Sequence, residues 1–140
     1  MTLRLAVPFF RVADMAAALR FYVDGLGFVK AREWTPQGVT EWCWLERDGV
    51  AVMLQVYREG RAPAEPRGAG VTICFQCADA LALYREFTRR GLSPQRPFVG
   101  NGLWVVMLTD PDGYRMEFAS PTDVPEETEY DPAQHDKKVT

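Results

Sequence analysis

The order of apolar runs, helix caps and turns in this chain occurs twice, and this repeat constrains the fold more than any other feature. In each half a short apolar run ends at an aspartate that can cap a helix, Asp14 in the first half and Asp79 in the second. The two aspartates lie 65 positions apart (79 − 14 = 65), and each follows an alanine. A helical pattern and three strand-like segments come after each cap. The sequence therefore predicts two βαβββ modules in tandem.

The first predicted module spans residues 1–57 and starts with an apolar strand over 3–12. After Asp14, apolar residues recur every three or four positions and form one stripe along a helix, which contains Met15, Leu19, Tyr22 and Leu26. Gly25 and Gly27 predict the end of this helix. Turn sequences separate three further strands, which we expect over 28–35, 40–46 and 50–57.

A segment rich in glycine, proline and arginine, 58–70, is typical of a linker and precedes the second predicted module, 71–120. In that module a helix begins at Asp79 and ends at Gly91. Strands are predicted on both sides of it, over 71–77, 94–99, 103–109 and 114–120. Residues 121–140 form a tail in which six acidic residues outnumber two lysines.

Composition excludes several classes of protein. The 140 residues are 47% hydrophobic, which is typical of a globular chain and not of an intrinsically disordered one. Sixteen basic residues against 19 acidic ones give a net charge of −3. This balance provides no electrostatic reason to bind nucleic acid or an anionic membrane, so we expect neither as a partner.

The three cysteines, Cys43, Cys74 and Cys77, are odd in number, which excludes a complete disulfide framework. The N-terminus lacks a signal-peptide pattern and no run of 18 apolar residues occurs, so we expect a reduced, cytoplasmic protein. Cys74 and Cys77 spell C-x-x-C, but a spacing of three on a strand points the two side chains to opposite faces. We interpret these two cysteines as small buried hydrophobic residues.

The chain has a single histidine, His135, which lies in the polar tail. A metal site with two histidines is therefore difficult to build within one chain. The same is true of a mechanism that uses a core histidine as general base.

Two segments carry a family resemblance, PFFRVADMAAALRFYVDGLGF (8–28) and TDPDGYRMEFASP (109–121). The first has an opening strand, a capped helix and an FY…LGF ending, and the second is a DPDG turn followed by a strand. In both segments the chain resembles the vicinal oxygen chelate superfamily, which includes glyoxalase I, extradiol dioxygenases, fosfomycin-resistance enzymes and bleomycin-resistance binding proteins. The resemblance covers about 1–120. It implies an α+β fold in which tandem βαβββ modules form a curled mixed sheet around a cleft.

The resemblance also implies where metal ligands would lie. In metal-using members they occupy four inward-facing strand positions, which here fall on Val7, Met53 or Gln55, Thr72, and Glu117. Only Glu117 is a strong ligand, whereas Zn, Ni or Fe(II) sites need two or three. We therefore expect no metal and no other cofactor.

Glu117 is the candidate catalytic residue if the protein is an enzyme. Strand alternation places Arg115, Glu117 and Ala119 on one face, and the resemblance directs that face to the cleft. An apolar cleft would raise the pKa of the Glu117 carboxyl and suit it to act as a general acid or base. The alternative is a structural ion pair with Arg11 or Arg115.

Four tryptophans in 140 residues are a high content, and aromatic walls bind flat organic ligands by stacking and by apolar burial. We expect at least one of Trp42, Trp44 and Trp104 to contact a ligand. Together with the cleft positions that the resemblance implies, the predicted ligand-binding residues are Phe9, Arg11, Trp42, Trp44, Met53, Gln55, Thr72, Gln76, Trp104, Arg115 and Glu117.

The sequence favours a metal-independent small-molecule binding protein of the bleomycin-resistance type. We expect it to be a homodimer that sequesters a flat, partly apolar ligand in an aromatic cleft, with antibiotic resistance as one outcome of such binding. The alternative is a glyoxalase-like lyase or isomerase that uses Glu117 as acid or base, or as part of a weak or intersubunit metal site.

Overall fold

The computed structural model describes residues 2–57 and 67–136. Most of the predicted linker, 58–70, lies outside these described residues. The chain divides into two compact units. The first consists of Met1–Val71 together with Asp110–Tyr114, and the second of Thr72–Thr109 together with Arg115–Thr140.

The first unit is a four-stranded mixed sheet with one helical segment. Its strands, in sheet order, are β1 (Phe9–Val12), β4 (Val50–Val56), β3 (Trp42–Arg47) and β2 (Val29–Trp34). Strand β1 runs parallel to β4, and the other neighbours are antiparallel. A parallel pair cannot be joined by a tight turn. The βαβββ order that the sequence predicts supplies the helical crossover that this pair requires.

Helix α1 (Met15–Leu19) begins where the sequence predicts, because the Asp14 side chain accepts a hydrogen bond from the Ala17 backbone N–H at 3.2 Å. The helix then widens into a π-helical turn over Arg20–Gly25. Ala18 is buried, whereas the predicted Leu19 is only half-buried.

The core of the first unit lies between the helix and one face of the sheet. The buried strand residues on this face are Phe10, Val12, Cys43, Leu45, Val52 and Leu54. Apart from Ala51, which is also buried, their neighbours along each strand are more exposed, as expected for a sheet that is covered on one side. The prediction of a strand from Leu3 was wrong, since β1 begins at Phe9 and both Leu3 and Leu5 are exposed.

The second unit repeats this topology. Its sheet order is β5 (Thr72–Gln76), β8 (Arg115–Pro121), β7 (Leu103–Thr109) and β6 (Phe98–Gly100), with β5 parallel to β8. Helix α2 (Ala80–Arg89) is capped by Asp79, whose side chain accepts from the Ala82 N–H at 3.0 Å. The predicted α+β fold of tandem βαβββ modules is thereby confirmed.

The acidic tail contributes to the second unit as far as the described residues extend. The backbone N–H of Val99 in β6 donates to the Thr128 carbonyl, and the Tyr130 N–H donates to the Pro97 carbonyl. The Tyr130 ring is buried, and the short helix α3 (Pro132–His135) follows it. The tail therefore supplies hydrogen-bond partners for backbone groups at the outer edge of β6, a strand of only three residues. Among the described residues, no helix is long and apolar enough to cross a membrane.

Candidate functional site

One face of the first sheet carries the side chains that the helix does not cover. It is made of two rows that cross all four strands, and each row follows the strand register. The first row contains Phe9, Met53, Trp44 and Arg32. The second contains Arg11, Gln55, Trp42 and Trp34. We call these eight residues the aromatic face.

The aromatic face is open, in contrast to the opposite face that forms the core. Phe9 is 42% exposed and Trp34 is 47% exposed, while Trp42 and Trp44 are half-buried. Exposed large aromatic side chains on one surface are typical of a binding surface. The structure therefore brings together all six of the predicted ligand-binding residues of the first module.

Two guanidinium groups are stacked on this surface. The Arg32 Cζ lies 4.5 Å from the Trp44 ring centroid, and the Arg11 Cζ lies 5.4 Å from the Phe9 ring centroid. Both distances are in the range of cation–π attraction. The Trp44 Nε1–H donates to a Glu46 carboxylate oxygen at 2.7 Å, which holds the indole in place.

Arg32 and Trp34 belong to this surface although neither is in the predicted site. The signal for them was present in the sequence, because they alternate with Glu33 along a strand whose neighbour carries Trp42 and Trp44. Alternation alone does not tell which pairs of strands are neighbours. The register between β2 and β3 supplies that information, since Arg32 lies opposite Trp44 and Trp34 lies opposite Trp42.

The turn at Asp110–Tyr114 belongs to the first unit and is hydrogen-bonded to β1 and to the residue that follows it. The Tyr114 hydroxyl donates to the Arg11 backbone carbonyl at 2.8 Å, and the Ala13 N–H donates to Asp112 Oδ1 at 2.9 Å. Burial raises the pKa of Tyr114 to about 12, so its hydroxyl keeps its proton at neutral pH. The DPDG motif thus serves as a structural turn that positions the Arg11 end of the aromatic face.

A buried hydrogen bond continues this anchor into the core. The Tyr22 hydroxyl donates to Asp110 Oδ2 at 2.8 Å, and both residues are buried. Burial, and after it the nearby Asp110 charge, raises the pKa of Tyr22 well above its ordinary value. Burial also raises the pKa of Asp110, against the opposing effect of the hydrogen bond from Tyr22.

Glu117 lies on one face of the second sheet, which we call the Glu117 face. Register places Cys74 opposite Glu117, Thr72 opposite Arg115, and Gln76 opposite Ala119. The predicted residues of the second module, except Trp104, therefore share this face. Within the described residues Glu117 makes no ion pair with Arg115, so that structural pairing is not observed.

The interpretation of Cys74 and Cys77 as buried residues was wrong. Cys74 is exposed and Cys77 is half-buried, with its Sγ 3.5 Å from the Ala119 carbonyl oxygen. Partial burial, followed by the hydrogen bond and charge of Glu117, raises the pKa of Cys74. Both cysteines are free thiols, and Cys74 carries no feature that would activate it as a nucleophile.

Trp104 lies on the other face of the second sheet. It is opposite Ser120 in the register and only 6% exposed, and its ring packs edge-on against Tyr130 and His135 of the tail. The structure does not bring Trp104 together with Glu117. It instead borders a separate cleft of about 740 Å³, where Arg85 and Asp136 form an ion pair.

The residues at the family's ligand positions do not fit a transition metal. Valine, methionine and threonine side chains do not supply strong nitrogen, thiolate or carboxylate donors, and Glu117 is the one carboxylate among them. In residues 2–57 and 67–136, no three histidine, cysteine, aspartate or glutamate side chains form a cluster that could hold a metal. The side chain of His135 is engaged with the tail, because its Nδ1 accepts from the Asp131 N–H at 2.9 Å.

Comparison with known proteins identifies the fold. The sequence model of the Glyoxalase/Bleomycin resistance protein/Dioxygenase superfamily matches residues 4–118. None of the curated proteins compared matches the chain significantly.

Solved structures share the same fold at low sequence identity. A bleomycin-binding protein in complex with bleomycin is 19% identical, with a TM-score of 0.67, over 84% of this chain and 98% of that one. An antibiotic-binding protein from a Streptomyces species is 22% identical, with a TM-score of 0.65, over 87% and 99% of the two chains. A glyoxalase/bleomycin resistance protein/dioxygenase from Nocardioides is 17% identical, with a TM-score of 0.63, over 94% and 93%.

Proposed function

Because the chain belongs to the Glyoxalase/Bleomycin resistance protein/Dioxygenase superfamily, we propose that it is a small-molecule binding protein that sequesters a flat, partly apolar ligand without using a metal. The observation that carries this proposal is the aromatic face. Three tryptophans and a phenylalanine lie there in two rows and are not needed for the core. Among the solved structures with this fold are a bleomycin-binding and an antibiotic-binding protein.

The aromatic face can supply sufficient binding energy. A flat ligand that covers about 200 Å² of its apolar surface would gain about 5 kcal/mol at about 25 cal/mol per Å². Stacking on an aromatic ring adds about 0.5–1.5 kcal/mol for each favourable pair. Losses of translational and side-chain freedom oppose this gain, so we expect a dissociation constant between about 1 mM and about 1 μM, which correspond to about −4 and −8 kcal/mol.

The donor set supports binding without metal. A single carboxylate, Glu117, with neighbours such as Thr72 would hold a divalent ion weakly. The proposal therefore gives Glu117 no metal-binding role. We further propose that the protein is a cytoplasmic homodimer and that sequestration of a toxic compound gives antibiotic resistance. Analytical ultracentrifugation and drug-susceptibility assays test these two points.

Tryptophan fluorescence tests the main proposal. A panel of planar aromatic compounds is titrated against the wild type and against a variant that combines Trp42→Phe and Trp44→Phe. We expect saturable quenching in the wild type and weaker binding in the variant, because two indole rings are replaced by smaller phenyl rings with less stacking surface. Trp104→Phe is the matched control, since Trp104 lies on the other sheet and is covered by the tail.

A defined set of results would overturn the proposal. The first is that no compound of the panel quenches the fluorescence. The second is glyoxalase or dioxygenase activity that Glu117→Gln abolishes while the circular dichroism spectrum stays unchanged. A transition metal retained at one equivalent after purification would contradict the metal-free part.

A further inference from the structure

The charge of the aromatic face points to the chemistry of its ligand. Arg11 and Arg32 are both exposed, and neither forms an ion pair with a carboxylate among the described residues. The carboxylate nearest to them in the register is Glu46, which accepts the hydrogen bond from the Trp44 indole. Two positive charges and one negative charge on this surface leave an excess of positive charge.

Stacking leaves the hydrogen-bonding edge of each guanidinium available. A guanidinium contacts an aromatic ring through its flat face, whereas its five N–H donors lie in its plane and point outward. The Arg32 Cζ lies 4.5 Å from the Trp44 ring centroid and the Arg11 Cζ lies 5.4 Å from the Phe9 ring centroid, so each guanidinium lies over an aromatic ring. Their edges are suited to two parallel hydrogen bonds with a planar carboxylate or a sulfonate.

The two guanidiniums occupy opposite corners of the surface. Arg11 is on β1 at one edge of the sheet, and Arg32 is on β2 at the other edge, in the other row. Three steps of about 4.8 Å between strands separate the edges by about 14 Å, and the rows are about 7 Å apart. The area between them holds Trp42, Trp44 and Met53. A plane of three fused rings fits this area.

We infer that the ligand of the aromatic face is a planar polycyclic aromatic anion, with acidic groups that Arg11 and Arg32 bind at opposite corners. This inference rests on the proposed function and adds the charge of the ligand to it. A cationic ligand is disfavoured, because the two guanidiniums repel it. The inference therefore narrows the expected ligands from flat, partly apolar compounds to those that also carry negative charge.

Three probes with the same ring system test this inference: anthraquinone-2,6-disulfonate, anthraquinone-2-sulfonate and the neutral 2-(hydroxymethyl)anthraquinone. Binding to the full chain is measured by isothermal titration calorimetry. We expect the monosulfonate to bind roughly fivefold more tightly than the neutral compound, and the disulfonate more tightly again, as charge-assisted hydrogen bonds of partly exposed groups allow. Arg11→Gln and Arg32→Gln together should abolish this preference, so that the neutral and sulfonated probes bind the double variant with about equal affinity.

Arg89→Gln is the matched control for Arg32→Gln alone, because each substitution removes one positive charge at an exposed position, that of Arg89 on α2. Equal affinity for the neutral and sulfonated probes would overturn the inference and leave the proposed function standing. An equal loss of sulfonate binding in the Arg89 variant would also overturn it, since the effect would then come from net charge alone. No binding of any of the three probes, or of other flat compounds, would refute the proposed function itself.

Discussion

Replacement of Tyr22 by phenylalanine is the sharpest test of how the first unit is held together. The substitution removes the hydroxyl that donates to Asp110 Oδ2 at 2.8 Å and keeps the buried ring. The ring contacts with Phe10 and Phe21 remain, so no cavity forms. The expected change in the free energy of unfolding therefore comes from the hydrogen bond alone.

The magnitude follows from the partners of Asp110. Its Oδ1 keeps the hydrogen bonds from the backbone N–H groups of Asp112 and Tyr114, both at 2.9 Å. Its Oδ2 loses the Tyr22 donor inside a buried site. Hydrogen bonds to charged groups contribute about 1.5–3 kcal/mol, and a buried acceptor without a donor lies at the upper end. We expect Tyr22→Phe to destabilise the protein by about 2–3 kcal/mol.

Urea unfolding followed by circular dichroism measures this effect. With a slope of about 2 kcal/mol per molar urea, the midpoint should fall by about 1 M or slightly more. Tyr84→Phe is the control, because the Tyr84 ring packs against Tyr130 and no hydrogen bond of its hydroxyl is observed within the described residues. The control should change stability by less than about 0.5 kcal/mol. A Tyr22→Phe effect no larger than that of the control would refute the reasoning.

The same pair predicts a pH dependence with a definite sign. The pKa of Tyr22 is raised in the folded state, chiefly by burial. Its contribution to stability is therefore complete below the ordinary tyrosine value of 10.0 and is lost as pH rises through the folded-state pKa. Wild-type stability should fall as pH rises above about 10, and Tyr22→Phe should show a shallower fall. Parallel alkaline slopes for the two proteins would contradict this assignment.

Two further predictions concern the second unit. Ser120→Ala should lower the free energy of unfolding by about 1–2 kcal/mol, because the buried Ser120 hydroxyl accepts a hydrogen bond from the Ala80 N–H at 2.8 Å and this donor would lose its partner. Urea unfolding measures the loss, with the exposed Ser93→Ala as the control. Equal stabilities of the two variants would contradict the prediction. Glu117→Gln should speed alkylation of Cys74 by iodoacetamide at neutral pH, since Glu117 is one cause of the raised pKa of that thiol, after burial. Mass spectrometry of the modified peptide reads out the rate in a Cys77→Ser background, and an unchanged rate would show that Glu117 does not act on the thiol.

Local chemistry explains why the elements were predictable. The caps Asp14 and Asp79 act on backbone N–H groups three residues away, so neighbouring sequence suffices to predict where both helices begin. The hairpin turns at Asp48 and Asn101 are similar, since each takes a positive φ and precedes a glycine that does the same. The later start of β1 was not predictable in this way, because it depends on pairing with β4, a strand distant in the chain.

The candidate site was predictable only in part, because strand alternation defines two faces without saying which one is covered. Trp104 and Glu117 both lie in apolar strands, yet the pairing of Trp104 with Ser120 and of Met107 with Glu117 places them on opposite faces. Burial of Cys74 was predicted from residue type and is wrong for the same reason, since its place opposite Glu117 puts it on the less covered face.

The sequence by itself determined the order of the eight strands and of the two helices that Asp14 and Asp79 cap, and the turns between them. All of these depend on interactions between residues close in the chain. Only the tertiary structure decided which side chains are neighbours across strands: that Arg32 stacks on Trp44, that Trp104 lies under the tail, and that the Asp110 turn holds β1. These contacts depend on strand register and on packing between distant segments, where a shift of one residue moves every side chain to the other face.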